Sequence, residues 1–506
     1  MKFSNIAIGI RKRFLKFIIR PRMSLRLYNT LTKREEDFAP QKAGIVTMYT
    51  CGPTVYGRPH VGNYSSFLMA DLLRRWLESG HKFKVKHVKN ITDVGHLVAD
   101  QDSGEDKVER EARIEKIDPL EIARRYTCEY LEDERELNFL EPMARPRATE
   151  YIDQMIRMIQ ALIEKGFAYE TEDGVYFSVE KFPEYGKLSG NTLENLSSGA
   201  RIEIDESKRH PADFALWKKK AGKNASHILH WPSPFGDGFP GWHIECSAMS
   251  EALLGLPVDI HTGGEDNIFP HHECEIAQSQ AASGGKTFVK YWLHRRRIDL
   301  GAEKMSKSLG NVLTIPDVKS KGYSPLDLRY YLLSVHYRTN LKFTWRGMDD
   351  ARKSRLKIIE WMEAVAEKSM AAVPSPKGES DPIIKKTSDS FMAGMDGDLN
   401  TPAAIAEIFG LMNYFYSAGT GKHIFCLEDF RGMKEFIEMA RGTFGCFDEQ
   451  KVELPAGIRE LISKREAARA KKDFKESDRL RKEIESQGYS VRDTGKGHTI
   501  LHLKHN

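Results

Sequence analysis

The period of the apolar positions changes several times along the chain, and each change predicts an element. Gly44–Tyr49 (GIVTMY) is a short apolar run and predicts a buried strand. It breaks into CGPTVYGRPHVGN, where Gly and Pro forbid regular structure, so a site-forming loop is expected at the strand's end. Beyond it Met69, Leu72, Leu73, Trp76 and Leu77 fall at helical spacing, with Asp71, Arg74 and Arg75 on the other side, which predicts a helix packing one face on a sheet. Phe83-Lys84-Val85-Lys86 then alternates as a strand does. Strand, loop, helix, strand is the repeating unit of an α/β doubly wound parallel sheet, whose ligands sit beyond the C-terminal ends of the strands. The phosphate-binding glycine motifs of dehydrogenases and P-loop enzymes are absent.

Residues 145–220 carry a helical pattern (Ile152–Lys165), a β-like stretch (Gly174–Val179) and turn-rich segments, which reads as an insertion splitting the sheet domain into halves at 23–144 and 221–321. From 322 to 455 long amphipathic helices predict a bundle, interrupted by the Pro/Ser/Lys/Gly linker Val373–Asp381. The last segment, 456–506, is expected as one highly charged helix, Ala456–Gln487, followed by a small hairpin, Tyr489–His502. No internal repeat is present.

Composition narrows the class. At 506 residues the chain exceeds one ordinary core and predicts three or more domains. With 29% of residues charged and no apolar run of about 18 residues, a membrane-spanning helix is excluded from the body of the chain. The net charge is only +5, from 77 basic and 72 acidic residues, so a nucleic-acid partner would be held by local basic patches. Six cysteines without close pairing (51, 128, 246, 274, 426, 446) predict free thiols in a reducing cytoplasm. Residues 1–22 stand apart, with seven basic side chains, no acidic one and amphipathic spacing. An organellar-import or membrane-surface segment, an RNA-contacting arm, and a start upstream of a true first residue at Met23 all account for them.

Three groups of residues carry chemistry. His60, at the start of the first long helix, can donate to phosphate oxygens, and Gly62 removes a Cβ that would keep a nucleotide away. In Lys304-Met305-Ser306-Lys307-Ser308, two lysines three apart place two point charges on a triphosphate. Cys51, Cys246, His271 and Glu275 are four metal-ligand types; His271 and Glu275 are four apart after Pro270 and project from one face of a helix, while His272, Glu273 and Cys274 point elsewhere. Spacing alone does not bring Cys51 and Cys246 together, since no close Cys-x-x-Cys pair exists.

HVGN at 60–63 and KMSKS at 304–308 resemble the HIGH and KMSKS signatures of class I aminoacyl-tRNA synthetases, with Asn63 in place of the last histidine. YTCGPTVY, GWHIEC and FPHHECEIAQ resemble the zinc-bearing segments of the cysteinyl-tRNA synthetase family. The likeness runs from Met23 to the C-terminus. It implies a nucleotide-binding domain split by an insertion, a tRNA-contacting helical bundle, and a small anticodon-binding domain at 456–506 in which Arg465, Arg469, Lys471, Lys472, Arg479 and Arg481 neutralise phosphates. The implied activity is ATP-driven formation of cysteinyl-adenylate, with Mg2+, then transfer of L-cysteine to the 3′-terminal adenosine of the tRNA for cysteine, by a monomer needing no membrane.

The resemblance also implies site residues. Pro53, His60, Gly62, Asn63, Gly264, Asp266, Lys304 and Lys307 would contact ATP, with His60, Asn63 and the two lysines catalytic. Cys51, Gly52, Thr92 and Trp242 would line the amino-acid pocket, and Cys51, Cys246, His271 and Glu275 would hold one Zn2+ per chain. Zinc takes a thiolate and not an alcohol, so it separates cysteine from serine where a pocket alone separates such near-isosteres by only a few kcal/mol. One stretch departs from the common pattern: Val94-Gly95-His96-Leu97 and an acidic run ending in Glu105-Asp106-Lys107 stand where many relatives have a short Asp-Asp-Lys. Two rivals share the resemblance: a ligase joining cysteine to a small amine, as in mycothiol biosynthesis, which lacks a complete anticodon-binding tail, and a non-catalytic RNA-binding homologue, which would lose His60, a KMSKS lysine or a zinc ligand.

Overall fold

A computed structural model describes residues 24–97, 105–198, 208–300, 303–304, 312–375, 378–418, 424–448, 456–487, 489–493 and 499–503. The basic segment 1–22 lies outside them. The elements that build the site are β1 (Ile45–Thr50), α1 (Val61–Ser79), β2 (Lys84–Lys89), α2 (Pro119–Glu136), α3 (Trp242–Leu254), β3 (Val258–Gly264), α4 (Glu273–Ala282) and β4 (Val289–Arg295). The four strands form one parallel sheet in the order β4-β3-β1-β2. From β1 the chain winds to one side and from β3 to the other, so the C-terminal ends of β1 and β3 meet at the point where the strand order reverses. Cys51 follows β1 there and donates its N–H to the Thr262 carbonyl at 3.2 Å.

The sheet separates two cores. Met48 faces one, shared with α1 and the helical half of the chain, while its neighbour Tyr49 faces the other, shared with α3 and α4. Between β2 and α3 lie the helix Ile152–Glu164 and a four-stranded antiparallel sheet of Ala168–Glu170, Gly174–Phe177, Phe214–Lys219 and Gly238–Pro240. That sheet runs past residue 220, because its last strand leads straight into α3. The helical half comprises Pro325–Leu333, Trp345–Lys368, Pro382–Asp396, Thr401–Ala418 and Leu427–Phe444, with Asp381 at the end of the predicted linker capping the third of these. Among the described residues no helix is long and apolar enough to cross a membrane.

Two expectations change. Ala456–Gln487 is not one helix but two, Ala456–Ala470 and Phe474–Ser486, folded on one another. Lys472 reverses the chain with φ of 61°, and Asp473 caps the second helix through Glu476 N–H at 3.1 Å. A single helix of that length would leave its few apolar residues wet; the reversal buries Ile458, Leu480 and Ile484. The second change concerns α1. Asp71 and Arg75, expected on the polar side, are 3% and 8% exposed, because the helical half covers a second face of that helix.

Asp71 is the counter-charge at the junction of the catalytic and helical halves. Its carboxylate accepts from Arg75 Nε at 2.7 Å, from Arg329 Nη2 at 2.5 Å and from Leu140 N–H at 2.8 Å. Arg329 in turn donates to the carbonyls of Phe444 (2.6 Å), Leu137 (2.9 Å) and Asn138 (3.1 Å). Burial alone would raise the Asp71 pKa, but the Arg329 and Arg75 charges outweigh it and hold the carboxyl at about 2, below its ordinary 3.8. Asp71→Asn is therefore expected to cost about 3–5 kcal/mol in urea melts at neutral pH, since two buried guanidinium groups lose their anion. The depressed value means that this stability is complete above about pH 4 and is lost as the wild type protonates toward pH 2, so the gap between the two proteins should close over that window.

Candidate active site

Four segments converge beyond the ends of β1 and β3. Cys51 leaves β1, Cys246 lies on α3, His271 and His272 follow a kink at Phe269 in the segment Ile268–His272, and Glu275 lies in the first turn of α4. The Cys51 and Cys246 sulfurs are 3.9 Å apart, Glu275 Oε1 is 3.8 Å from Cys51 Sγ, and His271 Nε2 is 2.9 Å from Glu275 Oε1. All four side chains are buried, and their donor atoms lie within 4.8 Å of one another, a set able to hold a metal ion.

His272 does not point elsewhere, as helical spacing suggested. Its Nε2 is 3.2 Å from Cys51 Sγ, so Cys51, His261, His272 and Glu275 form a second, overlapping set. The chain kinks at Phe269, whose backbone is extended (φ −139°, ψ 134°), and after the kink both consecutive histidines are enclosed, at 1% and 0% exposed. Glu273 and Cys274 do turn away, to the Leu188 and Ser189 amides and to the Tyr185 hydroxyl. The surrounding bonds orient both sets. His261 Nε2 holds Glu275 Oε2 at 3.0 Å, and His272 Nδ1 pairs with His294 Nε2 at 2.7 Å. His271 has its Nδ1 beside His243 Nδ1 at 3.0 Å, which leaves Nε2 facing the sulfurs and the carboxylate.

Electrostatics divide the group into charged and neutral members. Burial opposes ionisation of Glu275, but His261 and His271 outweigh it and hold the carboxyl at about 2; burial likewise opposes the His271 cation, but Glu275 and Cys246 raise that ring to about 10. Burial also opposes a thiolate at Cys246, yet hydrogen bonding to Cys51 and the His271 ring bring it down to about 6, while burial and the adjoining Cys246 push Cys51 well up. The His272 ring, desolvated among other histidines, is driven well below its usual value and stays neutral.

The loops after β1 and β2 are zipped together around this group. Gly52 N–H donates to Asn90 Oδ1 at 2.8 Å, Thr92 N–H to the Pro53 carbonyl at 3.0 Å, and Thr92 Oγ1 to Glu245 Oε2 at 3.0 Å. A Cβ on Gly52 would sit 1.7 Å from the Asn90 carbonyl oxygen, so no other residue fits. Trp242 stacks on His271 with ring centroids 4.2 Å apart.

His60 caps α1. Its amide donates to Asn63 Oδ1 at 3.0 Å and its Nδ1 accepts from Asn63 N–H at 3.3 Å, so in the neutral ring the proton sits on Nε2. Gly62 serves this ring directly, since a Cβ there would meet His60 Cε1 at 2.8 Å. This contact stands beside the expected role of Gly62 in leaving room for a nucleotide. Gly264, at the end of β3, runs against α1, where an added Cβ would lie 3.1 Å from Ser66 Oγ; Asp266, two residues on, is exposed. Glu303–Lys304 pairs antiparallel with Ile298–Leu300. The Lys304 side chain and residues 305–311, with Lys307, lie outside the described residues. The chain is next described at Val312 and Leu313, whose carbonyl accepts from Val61 N–H at 2.8 Å, directly after His60.

Comparison with known proteins agrees with this layout. Residues 37–353 match the family model for the tRNA synthetases class I (C) catalytic domain, residues 390–421 the DALR domain, and residues 451–500 the cysteinyl-tRNA ligase anticodon binding domain. The chain is 41% identical to a cysteine–tRNA ligase of Thermus thermophilus over 483 residues, covering 94% of this chain and 98% of that protein. It is 40% identical to that of Chlorobium chlorochromatii over 488 residues, with the same coverage of 94% and 98%. The chain belongs to the cysteinyl-tRNA ligase family. Its fold is shared by Mycobacterium tuberculosis methionyl-tRNA synthetase bound by methionyl-adenylate, with a TM-score of 0.59 and 14% identity over 79% of this chain and 92% of that one. It is shared also by Agrobacterium radiobacter LeuRS in a ternary complex with tRNA and LeuAMS, with a TM-score of 0.60 and 11% identity over 81% and 85%.

The ligase-family motifs do not reveal the residues that orient the site. His243 lies inside GWHIEC on α3, and His261 is a buried imidazole in β3; a polar residue in a buried strand is the one local signal for His261. Asp133 of α2 had no signal at all. It is fully buried and accepts from Arg58 Nε at 3.0 Å, Arg58 Nη2 at 2.5 Å and the Tyr64 hydroxyl at 2.7 Å, clamping the chain on both sides of His60. Placement of the His60 ring is thus over-determined, and Gly62→Ala is expected to displace it. Amino-acid activation, read as exchange of labelled pyrophosphate into ATP, should fall about 100-fold with the circular dichroism spectrum unchanged.

Proposed function

We propose that this protein activates L-cysteine with ATP and Mg2+ to cysteinyl-adenylate and pyrophosphate, then transfers cysteine to the 3′-terminal adenosine of its tRNA, selecting the amino acid at a zinc ion held by Cys51, Cys246, His271 and Glu275. The observation that carries the zinc assignment is the sulfur pair. Two thiolates each about 2.3 Å from a tetrahedral zinc lie about 3.8 Å apart, and the Cys51 and Cys246 sulfurs are 3.9 Å apart. The second donor set offers only one sulfur. When bound, zinc supplies a Lewis acid that takes a thiolate and lowers a thiol's pKa, which an alcohol at neutral pH does not match.

The remaining roles belong to the chain itself. His243 and His261 orient the His271 ring and the Glu275 carboxylate, so the ligands need no rearrangement. Trp242 and Thr92 bound the amino acid. His60 presents Nε2–H at the N-terminus of α1, where the helix dipole also favours phosphate. Lys304 and Lys307 offset charge on the α-phosphate and the leaving pyrophosphate. Gly264, which runs against α1, and the exposed Asp266 receive the nucleoside, with Asp266 accepting from ribose hydroxyls. The match to an anticodon binding domain over residues 451–500 supports tRNA as the acceptor.

Pyrophosphate exchange should depend on cysteine and show no signal above background with serine, and tRNA charging should accompany it. Exchange without charging would instead mark a ligase for a small amine. Purified protein should carry about one zinc per chain and Cys246→Ala almost none, by metal analysis. A Cys246→Ala protein that keeps both its metal and its preference for cysteine over serine would sink the zinc assignment.

A further inference from the structure

The segment that departs from the family pattern, Asp93–Lys107, carries a side chain that reaches the amino-acid site. His96, 8% exposed, lies flat on Trp242, with ring centroids 4.0 Å apart and planes 8° from parallel. Trp242 also stacks on His271, at 4.2 Å and 24°. Two rings so close to one indole centroid cannot share a face, so Trp242 is sandwiched and only its rim is left open. The outer plate is itself held. Lys107 Nζ lies 2.6 Å from His96 Nε2, and Thr54 Oγ1 lies 2.7 Å from His96 Nδ1. An ammonium has only protons to give, so Nε2 accepts, and the ring proton sits on Nδ1 and goes to Thr54. The backbone is pinned as well, by Lys107 N–H on the His96 carbonyl at 3.0 Å and by a bridge between Leu97 and Asp106.

We propose that His96 is a positioning residue for amino-acid selection: it presses Trp242 onto His271 and makes the indole a fixed wall that limits the length of the side chain admitted. The inference rests on the reading of this site as the cysteine pocket. Coordination to a metal separates sulfur from oxygen, but it does not reject a thiol borne on one more methylene. A rigid wall does, and a wall free to swing would surrender that discrimination, which for one methylene is about 10- to 200-fold. The loop after β1, through Thr54, and the helix that begins at Lys107 therefore act together to set pocket length.

The test compares the unsubstituted protein with His96→Ala and His96→Phe in pyrophosphate exchange with L-cysteine and L-homocysteine, with zinc content measured on each. His96→Ala should raise KM for cysteine about tenfold, leave kcat within about twofold, and lower the cysteine-to-homocysteine ratio of kcat/KM about tenfold, with zinc retained. His96→Phe, which keeps a stacked ring without its hydrogen bonds, should keep most of the selectivity. An unchanged ratio in His96→Ala, or loss of zinc in parallel with the ratio, overturns the inference while the reading of the site stands. No cysteine-dependent exchange in the unsubstituted protein overturns that reading, and the inference with it.

Discussion

A carboxylate buried without water has to be matched atom by atom, and Glu275 is matched by groups drawn from across the catalytic domain. One oxygen meets His261 of β3; the other meets His271, after the kink at Phe269, and lies near Cys51 at the end of β1. Each partner reaches the carboxylate only if the parallel sheet places β1 beside β3, and only if the kink before α4 turns its histidines inward. The donor group is therefore a consequence of the strand order. Its charges also explain why a metal suits it: with burial opposing every ionised form, a divalent cation in place of shared protons satisfies two sulfurs, an imidazole and a carboxylate at once.

The second organising constraint lies at the far side of the sheet. Asp71 and Arg329 join α1, whose first turn carries His60, to the segment after the KMSKS loop and to the end of the helix Leu427–Phe444. Because breaking a buried pair is far costlier than never having made it, the catalytic and helical halves are fixed to each other by the same helix that presents the nucleotide-facing turn. Asp133 repeats the device on a smaller scale, holding Arg58 and Tyr64 on either side of His60. Neither acid is among the residues assigned to a substrate.

Much of this was legible in the sequence because it is local. An apolar run, a Gly/Pro break and helical spacing predict β1, its loop, α1 and β2, and the motif strings predict which residues carry chemistry. Corrections fall where distant neighbours decide. Asp71 and Arg75 read as surface charges because nothing nearby in sequence announces Arg329, 258 positions after Asp71. The long charged helix read as continuous because period alone does not see that folding back at Lys472 buries its few apolar residues.

By itself the sequence determined the order of elements, the chemical types available, and, through its likeness to a family, which of them belong together. Tertiary structure alone decided which atoms meet. Cys51 and Cys246 are 195 residues apart, and only adjacent strand ends bring their sulfurs to 3.9 Å. His271 and His272 differ by one position, and the kink at Phe269 with the packing around the start of α4 puts both inward. His96 reaches Trp242 from a loop that the motif pattern left unexplained. The reason is common to all three: periodicity and turn chemistry act over a few residues, whereas burial, stacking and ligand geometry depend on surfaces that the folded chain alone assembles.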